Sequence, residues 1–290
     1  RKESSAASDV YKRQALLCAV VVPPLRAAAL GAGATHRPTS MAATELRSTF
    51  SRVFEANLRH GLCVAVRLDD SVAAARAPAT LGSSTPSIVP HPAELHMAVA
   101  MGSPTRAAAF CGGRAALHYA MRSCNLGHDG PVARGASGAP VLPDGVLASI
   151  SHTHGLAASI VRPAFPGSFE AIGLDVEHVG RAFAPRLSER VLTAAERREV
   201  DAEVALGSPA QAGVLVRFSL KEALYKALHQ LDQQHGVAFR DVSLTPLLDG
   251  SARYSWAGAR VPAARDWAVS LSWAVIGEYY VTTAHVRSSR

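Results

Sequence analysis

The sequence predicts an α+β fold of two similar lobes, each a small antiparallel sheet packed with helices. In the first half a long helical stretch is followed by three strand-like runs, VLASIS, LAASIV and FEAIGLDVEHV. In the second half another long helical stretch precedes a hairpin pattern, WAVSLSWAV and YYVTTAHV. Helices and strands are thus grouped, not alternated one for one, which separates α+β from α/β architectures. With 290 residues, 48% hydrophobic and 18% charged, the chain can bury two such cores. The lobes are expected over 44–166 and 167–287, joined near Pro166.

Residues 1–14, RKESSAASDVYKRQ, lack hydrophobic periodicity, and DVYKRQ looks like a translated sequencing adapter, so residues 1–43 are set apart from the fold. Met41 is a plausible start, and a targeting peptide within 15–40 is the alternative reading. The apolar run ALLCAVVVPPLRAAAL is cut by Pro23, Pro24 and Arg26 and falls short of the roughly 20 residues of a spanning helix. Residues 71–93, rich in Ala, Ser, Thr and Pro, read as an inserted loop. Pro104 to Asn125 reads as a helix, with proline in its first turn and Gly127 just beyond its end. GHDGPVARGASGAPVLPDG then forms a long loop, of the kind that carries function. The three strand-like runs, joined by HTHG and RPAFPGS, are expected as an antiparallel meander. Thr193 and Glu196 form a capping box opening a helix, and a longer helix is expected from Pro209 to Leu231. A turn at Gly277 closes the last hairpin.

Four cysteines, Cys18, Cys63, Cys111 and Cys124, show neither C-x-x-C nor zinc spacing, so a reducing, cytoplasmic setting is expected. Net charge is +7. The first fourteen residues hold four basic and two acidic groups of that balance, so a moderate surplus is spread along the rest. It is written almost wholly as arginine, which suits forked contacts with phosphate or carboxylate and points to an anionic ligand or acidic partner.

Against that background the lysines stand out. The chain has four, and the two internal ones, Lys221 and Lys226, flank Glu222 in FSLKEALYKAL. Glu222 and Lys226 are spaced i,i+4, so an exposed salt bridge is the bland account. Arginine would serve that role equally well. A compact ammonium suits a phosphate oxygen or a developing charge better, which favours a functional reading. In GLDVEHV, strand alternation puts Asp175 and Glu177 on one face and Leu174 and Val176 on the other. Two carboxylates so placed repel unless a cation lies between them, and Mg²⁺, a hard ion with oxygen ligands, is the natural candidate. An ordinary solvated strand face is the competing reading. In SISHTHG, Ser151 and His152 can offer donors to a phosphate, while the spacing of His152 and His154 admits a zinc site lacking a third ligand. Arg106 and Arg114, eight residues apart on the first long helix, suit a phosphate clamp at a groove rim, or else are solvated helix arginines.

These pieces, in this order, resemble the 4′-phosphopantetheinyl transferase superfamily, particularly its enterobactin-synthetase type. The matching stretches are GGRAAL, APVLPDGVLASISHTHG, GLDVEHV, VLTAAE and FSLKEALYKA, covering about residues 100–230. Where this chain has Ala139 and Leu142, that family often has a basic and an aromatic residue. The resemblance implies two lobes related by a pseudo-twofold axis with a cleft between them. It implies transfer of phosphopantetheine from coenzyme A to a serine of an acyl, peptidyl or aryl carrier protein, as in secondary-metabolite or siderophore assembly, releasing adenosine 3′,5′-bisphosphate. By the same resemblance Asp175, Glu177 and Glu222 are the Mg²⁺ ligands and Glu222 is also the general base. Lys226 and Lys221 meet the pyrophosphate, Ser151 and His152 contact coenzyme A phosphates, and Arg106 and Arg114 hold the nucleotide's 3′-phosphate. A monomer is expected.

Two other readings compete. A non-catalytic basic module could hold an acidic protein or nucleic acid, but only 6% of residues are aromatic and no basic cluster is interleaved with them, which argues against nucleic acid. A Mg²⁺-dependent nuclease of the D…E-x-K kind needs a lysine two residues after the glutamate, where this chain has Val179.

Overall fold

The computed structural model describes residues 49–68, 88–136, 138–182, 186–231, 237–257 and 267–288. The extension over 1–43, most of the 71–93 insertion and Cys18 lie outside them. Strands β1 (Arg52–Leu58), β2 (Gly61–Arg67), β3 (Val146–Thr153) and β4 (Leu156–Pro163) make an antiparallel sheet of order β1-β2-β4-β3. Strands β5 (Glu170–His178), β6 (Val242–Pro246), β7 (Ser251–Trp256), β8 (Trp267–Ile276) and β9 (Tyr279–Ser288) make a second, of order β5-β9-β8-β7-β6. Helix α1 (Pro92–Val99) leads into α2 (Pro104–Ser123), and α3 (Arg186–Val191) and α4 (Ala194–Ala205) precede α5 (Ala210–Leu231). The fold is α+β, two antiparallel sheets packed with helices. No helix among the described residues is long and apolar enough to cross a membrane.

Local chemistry explains the helix limits. Ser103 accepts from the Arg106 backbone N–H and Pro104 opens α2, filling the first-turn position where a missing N–H costs nothing. Thr193 and Glu196 form the expected reciprocal box at the start of α4. The end of the 71–93 segment is ordered differently from the expected loop: Ile88 bridges Phe50, and His91 caps α1 at Pro92.

Each helix buries its apolar side on one sheet. Phe110, Ala115 and Leu117 of α2 pack with Val64, Val66, Ala148, Ala157 and Val161 of the first sheet. Leu220, Leu224 and Leu228 of α5 pack with Leu244, Leu271, Ala284 and Val286 of the second. A third core joins the two sheets, with Cys63, Ala65, Leu147, Ala158 and Ile160 meeting Ile172, Leu174 and Val176 of β5.

That third core corrects the expected meander. β3 and β4 form a hairpin, but β5 crosses to the second sheet, where Asp175 pairs with Thr282 of β9. The reason lies in β5 itself: its alternate residues are buried on both faces, one against the first sheet and one against α5, so it suits the seam and not an edge of the first sheet. The chain passes from the first sheet to the second between Pro163 and Glu170.

Gly173 sets the closeness of that seam. A Cβ there would lie 1.8 Å from the carbonyl oxygen of Ala223 on α5. Gly173→Ala should therefore cost about 3 kcal/mol or more of unfolding free energy in a denaturant titration, because both contacting atoms are held by regular structure.

Candidate active site

β3, β5, α2, α5 and the loop before β3 enclose a cleft of about 590 Å³, within the roughly 300–1,000 Å³ usual for small-molecule and cofactor sites. Arg106, Arg114, Ser151, His152, Asp175, Glu177, Glu222 and Lys226 all line it. The sequence had named these eight from four separate segments, two from each.

Asp175 is the node. Its Oδ1 accepts from Lys226 Nζ at 2.8 Å and from Ser151 Oγ at 2.9 Å, and its Oδ2 accepts from Ser219 Oγ at 2.8 Å. Lys226 also donates to Ser151 Oγ at 2.9 Å and to the Leu174 carbonyl at 2.9 Å. β3, β5 and α5 thus meet in one charge-assisted network. Glu177 is buried; its Oε1 accepts from Arg181, while its Oε2 is buried without a hydrogen-bond partner. Glu222 lies half-buried one turn before Lys226, and among the described residues no hydrogen bond or ion pair holds its carboxylate.

Burial and crowding of like charge raise the proton affinity of two of the acids, Glu177 and Glu222. Burial, followed by repulsion from Asp175 and Glu177, pushes the Glu222 carboxyl above its ordinary range. Burial likewise raises Glu177, with Asp175 adding to it and Arg181 opposing. Among the described residues no three His, Cys, Asp or Glu side chains form a ready-made metal site. Lys226 and Arg181 instead take up part of the negative charge. The donor set still fits a hard divalent cation: three carboxylates share one cleft, and one of their oxygens is buried with nothing bonded to it. For the zinc reading of His152 and His154 the structure brings no third ligand among the described residues.

Lys221 requires a correction. It is only 2% exposed and does not reach the cleft. Its Nζ donates to Glu196 Oε2 at 2.7 Å and to the carbonyls of Val191 and Phe239 at 2.8 and 2.7 Å. Five residues along a helix turn the side chain by about 140°, so Lys221 and Lys226 cannot share a face. Lys221 ties α5 to the start of α4. Arg114 is also turned partly inward, donating to the carbonyls of Val132 and Ala133.

Sequence reading missed Ser219, Arg181 and Arg134. Ser219, Glu222 and Lys226 follow an i, i+3, i+7 spacing on one helix face, so Ser219 was within reach of the pattern. Arg181 and Arg134 sit in loops, where no periodicity marks them.

An acid and base network at the junction of two sheets, in a cleft of cofactor size with three arginines at its wall, has the groups to receive a negatively charged ligand. Comparison with known proteins makes this specific. Residues 93–162 match the family described as "4'-phosphopantetheinyl transferase N-terminal domain", and residues 171–284 match "4'-phosphopantetheinyl transferase superfamily". Together the two matches span more than half of the 290 residues, and the chain belongs to the 4′-phosphopantetheinyl transferase superfamily, a class of transferases. No curated protein matches the sequence.

Solved structures resemble parts of it. A holo-[acyl-carrier-protein] synthase from Thermotoga maritima shares 23% identity at a TM-score of 0.32, over 41% of this chain and 63% of that one. An ACPS–CoA complex from Chronobacterium ammoniagenes shares 21% identity at 0.34, over 42% of this chain and 98% of that one. A holo-(acyl-carrier-protein) synthase from Bacillus anthracis in complex with CoA (3',5'-ADP) shares 26% identity at 0.33, over 41% and 96%. This chain thus spans less than two thirds of the Thermotoga synthase.

Two outcomes are expected. Lys221→Met should lower stability by about 3–5 kcal/mol by leaving Glu196 buried and unpaired, whereas Lys226→Met should leave the melting temperature much closer to wild type. Because the folded-state proton affinity of Glu222 is raised, its ionisation costs stability once pH rises above its ordinary value of 4.5. In metal-free buffer Glu222→Gln should therefore melt higher than wild type at pH 8, and the two curves should converge on acidification to pH 4.5 and below.

Proposed function

We propose that this chain transfers the 4′-phosphopantetheine group of coenzyme A to a serine hydroxyl of a carrier protein, with Mg²⁺ bound by Asp175, Glu177 and Glu222. The single observation that carries this reading is the cleft in which those acids, Lys226 and Ser151 are gathered beside three arginines. Family membership supports the reaction class. The enterobactin-synthetase-like subtype and a cytoplasmic monomer belong to the same proposal.

The chemistry follows from the residues. Glu222 has no partner among the described residues and an elevated proton affinity, so it suits accepting the serine proton as the hydroxyl attacks. The serine oxygen bonds to the phosphorus that carries pantetheine, and the linking phosphate–oxygen bond breaks. Adenosine 3′,5′-bisphosphate leaves with the electron pair. Lys226 stands where charge grows on the departing oxygens, its ammonium held by Asp175 and Ser151. Ser219 fixes the second oxygen of Asp175, so that carboxylate is oriented before any ligand arrives. Mg²⁺, when bound, neutralises phosphate oxygens and the repulsion among the acids. An arginine-rich surface would speed encounter with an acidic carrier protein.

The test is mass spectrometry of an apo carrier protein incubated with this chain, coenzyme A and Mg²⁺. The carrier should gain one phosphopantetheine, and Glu222→Gln should reduce the rate by at least about 100-fold, within the range for loss of a general base. Mg²⁺ should raise the melting temperature of wild type more than that of Glu222→Gln. A carrier of unchanged mass, with wild type folded and all components present, would remove the proposal.

A further inference from the structure

Two side-chain cations answer the carboxylates at the acid end of the cleft, and they are committed to different degrees. Lys226 is held by three acceptors, Asp175 Oδ1 at 2.8 Å, Ser151 Oγ at 2.9 Å and the Leu174 carbonyl at 2.9 Å. A guanidinium carries several N–H donors, but among the described residues that of Arg181 makes a single hydrogen bond, to Glu177 Oε1. Its side chain is 44% exposed, against 6% for Glu177. Its other contact is a ring: the guanidinium carbon stands 5.6 Å from the centre of Phe218, a cleft residue of α5.

The backbone around Arg181 is fixed from several sides. Its N–H donates to the His178 carbonyl at 2.9 Å, and its carbonyl accepts from Gln211 Nε2 at the start of α5. Gly180 N–H donates to His178 Nδ1 at 3.0 Å, and Val179 N–H donates to the Glu278 carbonyl at 2.9 Å, in the turn before β9. Rotation about side-chain bonds alone therefore carries the guanidinium off Glu177, and the Phe218 face offers its charge a resting place. Glu177, in turn, is buried, with Oε1 on Arg181 and Oε2 without a hydrogen-bond partner. A hard divalent ion and a guanidinium compete for that one negative charge, and their own charges repel each other. With Arg181 in place, Glu177 has only Oε2 free for a metal; with Arg181 withdrawn, both oxygens are available.

We propose that Arg181 is an internal counter-cation of Glu177 that a divalent ion must displace, so that this one side chain sets how tightly the cleft holds metal. The inference rests on reading Asp175, Glu177 and Glu222 as the cation site, and adds a second state to it. Arg181 sits on Glu177 in the metal-free protein and is withdrawn over Phe218 when the ion is bound. A partly exposed pair with one hydrogen bond is a weak lock, as a displaceable cation requires. The fully buried pair of Lys221 and Glu196, whose ammonium also serves the Val191 and Phe239 carbonyls, could not act this way.

The probe is Mn²⁺, counted as free ion by electron paramagnetic resonance while metal-free protein is titrated, with neither coenzyme A nor a carrier protein present. Arg181→Gln keeps a polar side chain without the charge and leaves the backbone ties in place, so it should fold. It should bind Mn²⁺ about 5- to 20-fold more tightly than wild type. Glu177→Gln should bind more weakly, and the double variant should show none of the Arg181→Gln gain, because the gain passes through Glu177. A double variant that keeps the gain overturns the role given to Glu177. Melting supplies a second readout. Arg181→Gln should melt below wild type in metal-free buffer and recover that deficit with saturating Mn²⁺. An equal deficit in both buffers is what a side chain that merely braces its loop would give, and overturns the inference. Equal Mn²⁺ affinity in wild type and Arg181→Gln overturns it while the cation reading of the acids stands. Weaker binding in Arg181→Gln also overturns it, since Arg181 would then be building the site. Binding in neither overturns the inference together with the metal assignment, and binding in Arg181→Gln alone supports it.

Discussion

One carboxylate holds the site together. Asp175 sits on a strand whose two faces are both buried, and accepts from Lys226 and Ser219 on α5 and from Ser151 on β3. These groups belong to both sheets, so the network forms only when the halves are packed. Leaving such a carboxylate buried and unpaired would be costly; fully bonded, it fixes three side chains in the arrangement the proposed chemistry needs. Ser151, an ordinary strand serine by composition, becomes part of the site because the residues beside β3 and β5 bury a shared core.

The same seam explains why glycine and alanine matter so close to the chemistry. Gly173 lets β5 approach the carbonyl of Ala223 closely enough for Asp175, two residues on, to reach the ammonium one turn along the helix. On the first lobe Gly112 and Gly113 play a comparable part, since a Cβ on either would lie 2.5 or 2.6 Å from Leu68 or Ile150. Close helix–sheet packing on both sides frames the cleft of about 590 Å³ at the seam.

The two lysines that stood out in composition turn out to do opposite things. Lys226 faces the cleft and can meet a ligand, while Lys221, buried with Glu196, holds α4 against α5. Both use a feature arginine lacks: a compact point charge on a long stem can fill a narrow site with three acceptors around it. Composition marked them as unusual together, but only the turn of the helix separated their roles. The arginines divide likewise. Arg114 spends donors on backbone carbonyls, and Arg134, lying in a loop of glycine and proline, presents a guanidinium to the cleft.

Much of the fold was legible because it rests on local rules. The limits of α2, α4 and α5 follow from Pro104, from Thr193 with Glu196, and from sustained apolar periodicity, while alternation in β3, β4 and β5 exposed the facing of Asp175 and Glu177. β1, β2, α1, β6 and β7 carry weaker patterns and were not read. Sequence order also suggested that β5 should follow β4 in one sheet. Pairing, however, is settled by which surfaces can be buried together, and β5, apolar on the side away from its acids, gains more between the two halves. By itself, then, the sequence determined the α+β class, the helix ends and most of the cleft-facing residues, since these depend on neighbours a few positions away. Tertiary structure alone decided the partner of β5, the inward turn of Lys221 and Arg114, and the convergence of Ser219, Arg181 and Arg134, because each depends on contacts between segments that no spacing along the chain records.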